Sequence, residues 1–264
     1  NLLKKNLLNA LYIFFLGAIS SYSLPPYNYF IINFFTFSLF FIFLFTKRKT
    51  NSNNKSFFKH GWFFGFGYFL CSLYWIAISL TFDESFKFLI PIAIVLLPAF
   101  LAIFYGLITY FFSIFYSKNI ISTFFIFSIL YGSVEFIRGF ILTGFPWNLI
   151  AFSFSESIYF IQILSVIGTY SFNLICISLF TVPAIFILRK TRKEIIVCFS
   201  FIIISLGFLI FGNLKYNQFN TLADIKNNFI IRAVSSKISL DRFYSKQDEL
   251  KIIKELISLS NPEK

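Results

Sequence analysis

Residues 135–148 read EFIRGFILTGFPWN, and they gather a Glu, an Arg, two glycines and a Pro-Trp pair in a chain otherwise dominated by Phe, Ile, Leu and Ser. Glu135 and Arg138 stand three apart, hence on one helical face, where each charge offsets the other's cost near lipid. Gly139, Gly144 and Pro146 then break the helix, and irregular backbone at membrane depth persists only where protein or water satisfies its polar groups. Trp147, with an apolar body and one N–H donor, suits a membrane–water interface. Two readings stay open at this point. The pair is an interfacial anchor for a helix end, or the segment forms a polar re-entrant rim, facing outward, around a lipid site.

The rest of the chain decides the solvent. Of 264 residues, 58% are hydrophobic, 23% aromatic and 13% charged, whereas a soluble domain carries about 25% charged residues. The composition is that of an integral membrane protein. The net charge of +12 would point to nucleic acid in a soluble protein. Here the Lys and Arg fall between apolar runs, as in cytoplasmic membrane loops, so topology explains them and no nucleic-acid partner is expected. Cys71, Cys176 and Cys198 lie inside apolar runs without metal-ligand spacing and read as small packed hydrophobes. No metal site is expected.

Spanning a hydrocarbon layer of roughly 30 Å takes about 20 apolar residues. Such runs cover residues 7–24, 28–46, 61–82, 88–116, 120–140, 157–188 and 195–212, seven expected spans. They are separated by Pro25-Pro26, by KRKTNSNNK, by Asp83-Glu84 and the turn they cap, by Ser117-Lys118-Asn119 and by RKTRKE. With the N-terminus in the cytoplasm, Lys4, Lys5, Lys47, Arg48, Lys49, Lys55, Lys59, Lys118 and the basic residues of RKTRKE all lie inside, against Lys87 and Arg138 outside. Seven crossings then place residues 213–264 on the outer side. That tail holds NFIIRAV (228–234), with the β-branched content of a buried strand, and QDELKIIKELIS (247–258), with apolar residues at helical spacing. About 50 residues make too small a core to stand alone, so the tail reads as the opening of a larger domain. His60, beside Lys59, reads as an interfacial residue, and Asn173 and Gln162 as interhelical hydrogen-bonding groups.

The quoted segment closely resembles the Glu-x-x-Arg-Gly-x-x-x-Thr-Gly-Phe-Pro-Trp signature of bacterial apolipoprotein N-acyltransferases. Further pieces agree in order: the hairpin turning at Leu24-Pro25-Pro26, the Gly-rich third span GWFFGFGYFLCSLYWIAISL (61–80) with its Tyr-Trp, and QILSVIGTYSFNLI (162–175). NFIIRAVSS (228–236) is similar to the first strand of that family's extracytoplasmic nitrilase-like domain, although Ser235-Ser236-Lys237 stands where the family has Gln-Pro-Asn.

The resemblance implies a helical membrane bundle of about seven spans (1–212) in the bacterial inner membrane, followed by a partial α/β nitrilase-like segment in the periplasm (213–264). It also implies a two-step acyl transfer without a cofactor. A Cys thiolate, activated by a Glu, attacks the sn-1 ester of a phospholipid and forms a thioester, and the acyl group then passes to the α-amine of a diacylglyceryl-cysteine on an apolipoprotein. The family's catalytic Glu, Lys and Cys fall beyond Lys264, so this chain is expected to be inactive alone, with a complementing C-terminal fragment as a candidate partner beside the phospholipid donor and the apolipoprotein acceptor. Glu135, Arg138, Thr143, Gly144, Phe145, Pro146 and Trp147 are the expected edge of the substrate entrance. The alternative is a non-catalytic multispan protein, such as a transporter or assembly partner. Transporters carry ionisable groups near the midplane and often internal repeats, whereas no repeat stands out here and Glu135 and Arg138 fall near the end of a span.

Overall fold

A computed structural model describes residues 2–50, 53–141, 144–223 and 249–260. Polar breaks set the helix boundaries. Asn53 caps α3 (Asn54–Leu73), its side chain accepting from the Lys55 N–H, and Asn119 caps α5 (Ile120–Arg138) by accepting from the Ser122 N–H. Before α3 lie α1 (Leu2–Ser20) and α2 (Ile31–Thr50), and between α3 and α5 lies α4 (Ile90–Phe115). A short α6 (Ile158–Ile161) leads to α7 (Leu164–Leu188), α8 (Arg192–Ala223) and α9 (Glu249–Ser260). Asp83 caps the turn before α4, accepting from the Ser85 N–H, in keeping with its place between two apolar runs.

Six of these helical segments are long and apolar enough to cross a membrane, one fewer than the seven runs. The run at 7–24 folds into α1, but that helix begins in Lys4, Lys5 and Asn6 and gives way at Ser21–Ser23 to a 3₁₀ turn before Pro25. The run at 157–188 also departs from expectation. It divides into α6 and α7, and Gly168 inside α7 has φ +75°, a kink only glycine accepts freely. The last apolar run ends near residue 212, yet α8 continues to Ala223. In the tail, α9 forms where the sequence shows helical spacing, while the strand expected at 228–234 lies outside the described residues. Among the described residues there is no strand, and the α/β segment is not shown.

Close helix crossings explain the glycines of the third span. A Cβ on Gly61 would sit 2.1 Å from the carbonyl oxygen of Tyr105 on α4, and one on Gly67 would sit 2.1 Å from that of Phe14 on α1. Small residues therefore let α3 press its backbone against both neighbours, the usual way helices associate in lipid. Around this centre α2 packs on α7, and α5 on both α4 and α7. Their shared core is aromatic: Phe40 stacks on Phe64 at 4.2 Å between ring centres, while Tyr131 takes Phe37 edge-on and Phe127 at a tilt. By contrast Ile196, Ile203 and Ile210, seven apart on α8, are each more than 60% exposed. Apolar stripes left open on that scale mark lipid-facing surface, and the chain is a multi-pass membrane protein.

Candidate functional site

On α5, Tyr131, Glu135 and Arg138 succeed one another at spacings of four and three and share one face. That face points inward. Glu135 is 0% and Arg138 1% exposed, so both charges are buried among protein groups. The Arg138 Nε donates to Glu135 Oε2 at 3.2 Å and Nη2 donates to the same oxygen. Its Nη1 donates to the carbonyls of Phe145 at 2.8 Å and Trp147 at 3.1 Å. The charge is thus neutralised by the helix, and its remaining donors satisfy the broken backbone beyond it.

The loop closes reciprocally, since the Phe145 N–H donates to the Arg138 carbonyl at 3.0 Å. Gly144 makes the reversal with φ +81°, where a Cβ would meet the Gly139 carbonyl oxygen at 2.4 Å. Asn148 also has positive φ, 58°, and its carbonyl accepts from Tyr68 Oη at 3.0 Å. Arg138 lies over the Phe69 and Phe145 rings at 5.3 and 5.8 Å, which further offsets the cost of burying its charge. The rings of Tyr68, Tyr105 and Tyr131 adjoin one another, with centres 5.9 and 5.0 Å apart, and line the buried side of α3, α4 and α5.

Outside this polar core, Trp147 stacks on Trp75 with ring centres 5.7 Å apart and planes 21° apart, both about half-exposed. Beside them opens a cleft of about 340 Å³ between the Pro25-Pro26 turn, the end of α3 at Cys71 and Ser72, and Asn148 with Ser155. The first hairpin is tied to the far side of the cleft by Asn28 Nδ2, which donates to Glu156 Oε1 at 2.5 Å.

Of the expected site residues, Glu135, Arg138, Gly144, Phe145 and Trp147 meet in one structure, Pro146 lies between the last two, and Thr143 falls outside the described residues. Tyr68, Trp75, Asn28 and Asn148 join this site without a sequence pattern that assigns them to it. Only Trp75 carries a signal, in the Tyr-Trp of the third span. Asn173 does bond across elements, accepting from the Ala151 N–H at 2.9 Å, whereas the described bonds at Gln162 are through its backbone carbonyl, which accepts from Ser165 Oγ and the Ser165 N–H. Among the described residues no Lys, His, Asp or Glu lines the cleft to act as a base on the Cys71 thiol there. Among the described residues no three His, Cys, Asp or Glu side chains converge as a metal site. The arrangement is suited to hold an amphipathic ligand.

Residues 16–182, which contain this loop and cleft, match the family model described as apolipoprotein N-acyltransferase N-terminal domain. The chain belongs to the apolipoprotein N-acyltransferase family. Relatives bearing the name apolipoprotein N-acyltransferase include one from Rickettsia typhi, 35% identical over 216 residues, which are 81% of this chain and 42% of that protein. Another, from Allorhizobium ampelinum, is 32% identical over 184 residues, 67% of this chain and 34% of the relative. The apolipoprotein N-acyltransferase of Rhodopseudomonas palustris is 28% identical over 253 residues, 93% of this chain and 46% of its own length. The chain thus spans less than half the length of these relatives.

Proposed function

We propose that these residues are the membrane platform of an apolipoprotein N-acyltransferase, which moves an acyl chain from a phospholipid to the N-terminal diacylglyceryl-cysteine of a lipoprotein. The supporting observation is the buried Arg138, which fixes the 144–148 loop and its Trp147 beside a cleft within the family-matched region. In this assignment the loop, with Glu135, Arg138, Thr143, Gly144, Phe145, Pro146 and Trp147, edges the substrate entrance. Trp75 and Trp147 offer flat apolar faces to acyl chains, while the Trp75 indole N–H is held by the Ser72 carbonyl at 3.0 Å.

The division into a membrane domain (1–212) and a periplasmic, nitrilase-like segment (213–264) belongs to the same proposal. So does an inner-membrane location with a cytoplasmic N-terminus and an odd number of crossings, α1 being the seventh. The distribution of Lys and Arg supports that orientation. The acyl-transfer chemistry is not assigned to this cleft, since among the described residues the buried Cys176 and Cys198 do not line it and no Lys, His, Asp or Glu lines it beside Cys71.

The test is to give the purified chain a labelled phospholipid and a diacylated lipopeptide. Saturable lipopeptide binding without N-acylated product is expected. Turnover would show that the chemistry is within these residues, and absence of binding would remove the platform role.

A further inference from the structure

A second, larger cavity of about 690 Å³ opens at the other end of α3, between α1, the end of α2 and the start of α3. Lys55 and Ser72 mark the two ends and are 17 residues apart, about 25 Å along a helix. This cavity is therefore separate from the cleft beside Trp147.

Its lining is chemically one-sided. Lys47, Lys55 and Lys59 all contribute to it, and no Asp or Glu does. Among the described residues none of these three lysines is ion-paired. His60 lines the same cavity and is 8% exposed. Its Nε2 faces Ser56 Oγ at 3.4 Å, its ring packs edge-on against Phe43, and its Nδ1 is buried without a protein partner. Buried polar atoms are nearly always hydrogen-bonded, so an unpartnered ring nitrogen at the wall of a basic cavity points to a ligand. The N-terminus of the 20-residue α3 adds the positive end of its dipole to the same place.

We infer that this cavity binds a phosphate anion through Lys47, Lys55, Lys59, Ser56 and His60, the phosphate belonging to an anionic phospholipid headgroup or to a soluble phosphate. Basic pockets between helices at a membrane boundary hold lipid headgroups by this means, each Lys strengthening the attraction several-fold. The inference is independent of the acyl-transfer proposal, because none of these residues borders the Trp147 cleft.

The test titrates the purified chain with phosphatidylglycerol and with phosphatidylcholine of the same acyl chains, reading bound lipid by native mass spectrometry. A parallel arm adds inorganic phosphate at constant ionic strength and reads the unfolding midpoint. Three variants are compared: Lys47→Gln/Lys55→Gln/Lys59→Gln, His60→Phe, and a control of equal charge loss, Lys190→Gln/Arg192→Gln/Lys193→Gln. Phosphatidylglycerol retention at least about tenfold above phosphatidylcholine is expected, lost in the first variant, reduced about threefold or more in the second and kept in the control. A midpoint shift by inorganic phosphate with the same variant dependence supports the site and names soluble phosphate as the source. Failure of both arms in the wild type, or equal loss in the control, would overturn the inference.

Discussion

The guanidinium of Arg138 donates to the carbonyl oxygen of Trp147 at 3.1 Å while the same side chain is paired with Glu135, one helical turn away. One buried cation therefore couples the end of α5 to the loop beyond it. Removing either partner leaves an uncompensated buried charge, which costs about 3–5 kcal/mol. Glu135→Ala and Arg138→Ala should each lower the unfolding midpoint in detergent strongly. The double variant should lose clearly less than the sum of the two. Additive losses would mean the pair is not coupled.

Arg138→Lys keeps the charge but not the planar fork that serves a carboxylate and two carbonyls together. The helix should survive while the loop loosens. Limited proteolysis should cut within residues 141–147 faster in the variant than in the wild type, with cleavage elsewhere unchanged.

Two glycines with similar positive φ separate backbone strain from crowding. Gly168 (φ +75°) has open space around a Cβ, whereas Gly144 (φ +81°) has the Gly139 carbonyl at 2.4 Å. Gly168→Ala should cost about 1–3 kcal/mol from its positive-φ backbone alone. Gly144→Ala also meets a positive φ and should lose about 1–3 kcal/mol more from overpacking. Equal unfolding midpoints for the two variants would contradict the tight reversal at residue 144.

The α1–α3 crossing admits no side chain at Gly67, where a Cβ would press on the Phe14 carbonyl. Gly67→Val should separate the helices and destabilise the bundle by about 1–3 kcal/mol or more. Gly207→Val on α8, where nothing lies within 4 Å, serves as the control. It should change the unfolding midpoint little.

Trp75 and Trp147 come from segments more than seventy residues apart and meet as a stacked pair. A double-mutant cycle with Trp75→Ala and Trp147→Ala should give a coupling of about 0.5–1.5 kcal/mol. Each single variant should also weaken lipopeptide binding. Coupling near zero would mean that the stacked contact beside the cleft contributes nothing to stability.

The polar breaks between helices are legible in the sequence because each is a local property. Asn53, Asp83 and Asn119 cap the helix or turn that begins beside them, whatever the rest of the chain does. The inward orientation of Glu135 and Arg138 is not legible, since three-residue spacing fixes a shared face but not which neighbour that face meets. The partners of Arg138 are carbonyls, and a carbonyl carries no residue-type signal. The first apolar run is weaker as a span than its own residues suggest, because Lys4, Lys5 and Asn6 belong to the helix itself and do not precede it. The sixth run looks continuous in sequence because the dihedral at Gly168 breaks a helix without changing its hydrophobicity. The Trp75–Trp147 contact depends on long-range packing that no local pattern specifies.

Placing a photoactivatable amino acid at position 147, and in a second variant at Phe115 at the other end of the bundle, tests the platform role most directly. On illumination with a diacylated lipopeptide in phospholipid nanodiscs, position 147 should form a lipopeptide adduct that unlabelled lipopeptide competes away, and position 115 should not. Equal, uncompeted labelling at both positions would contradict the assignment of the 144–148 loop to the substrate entrance.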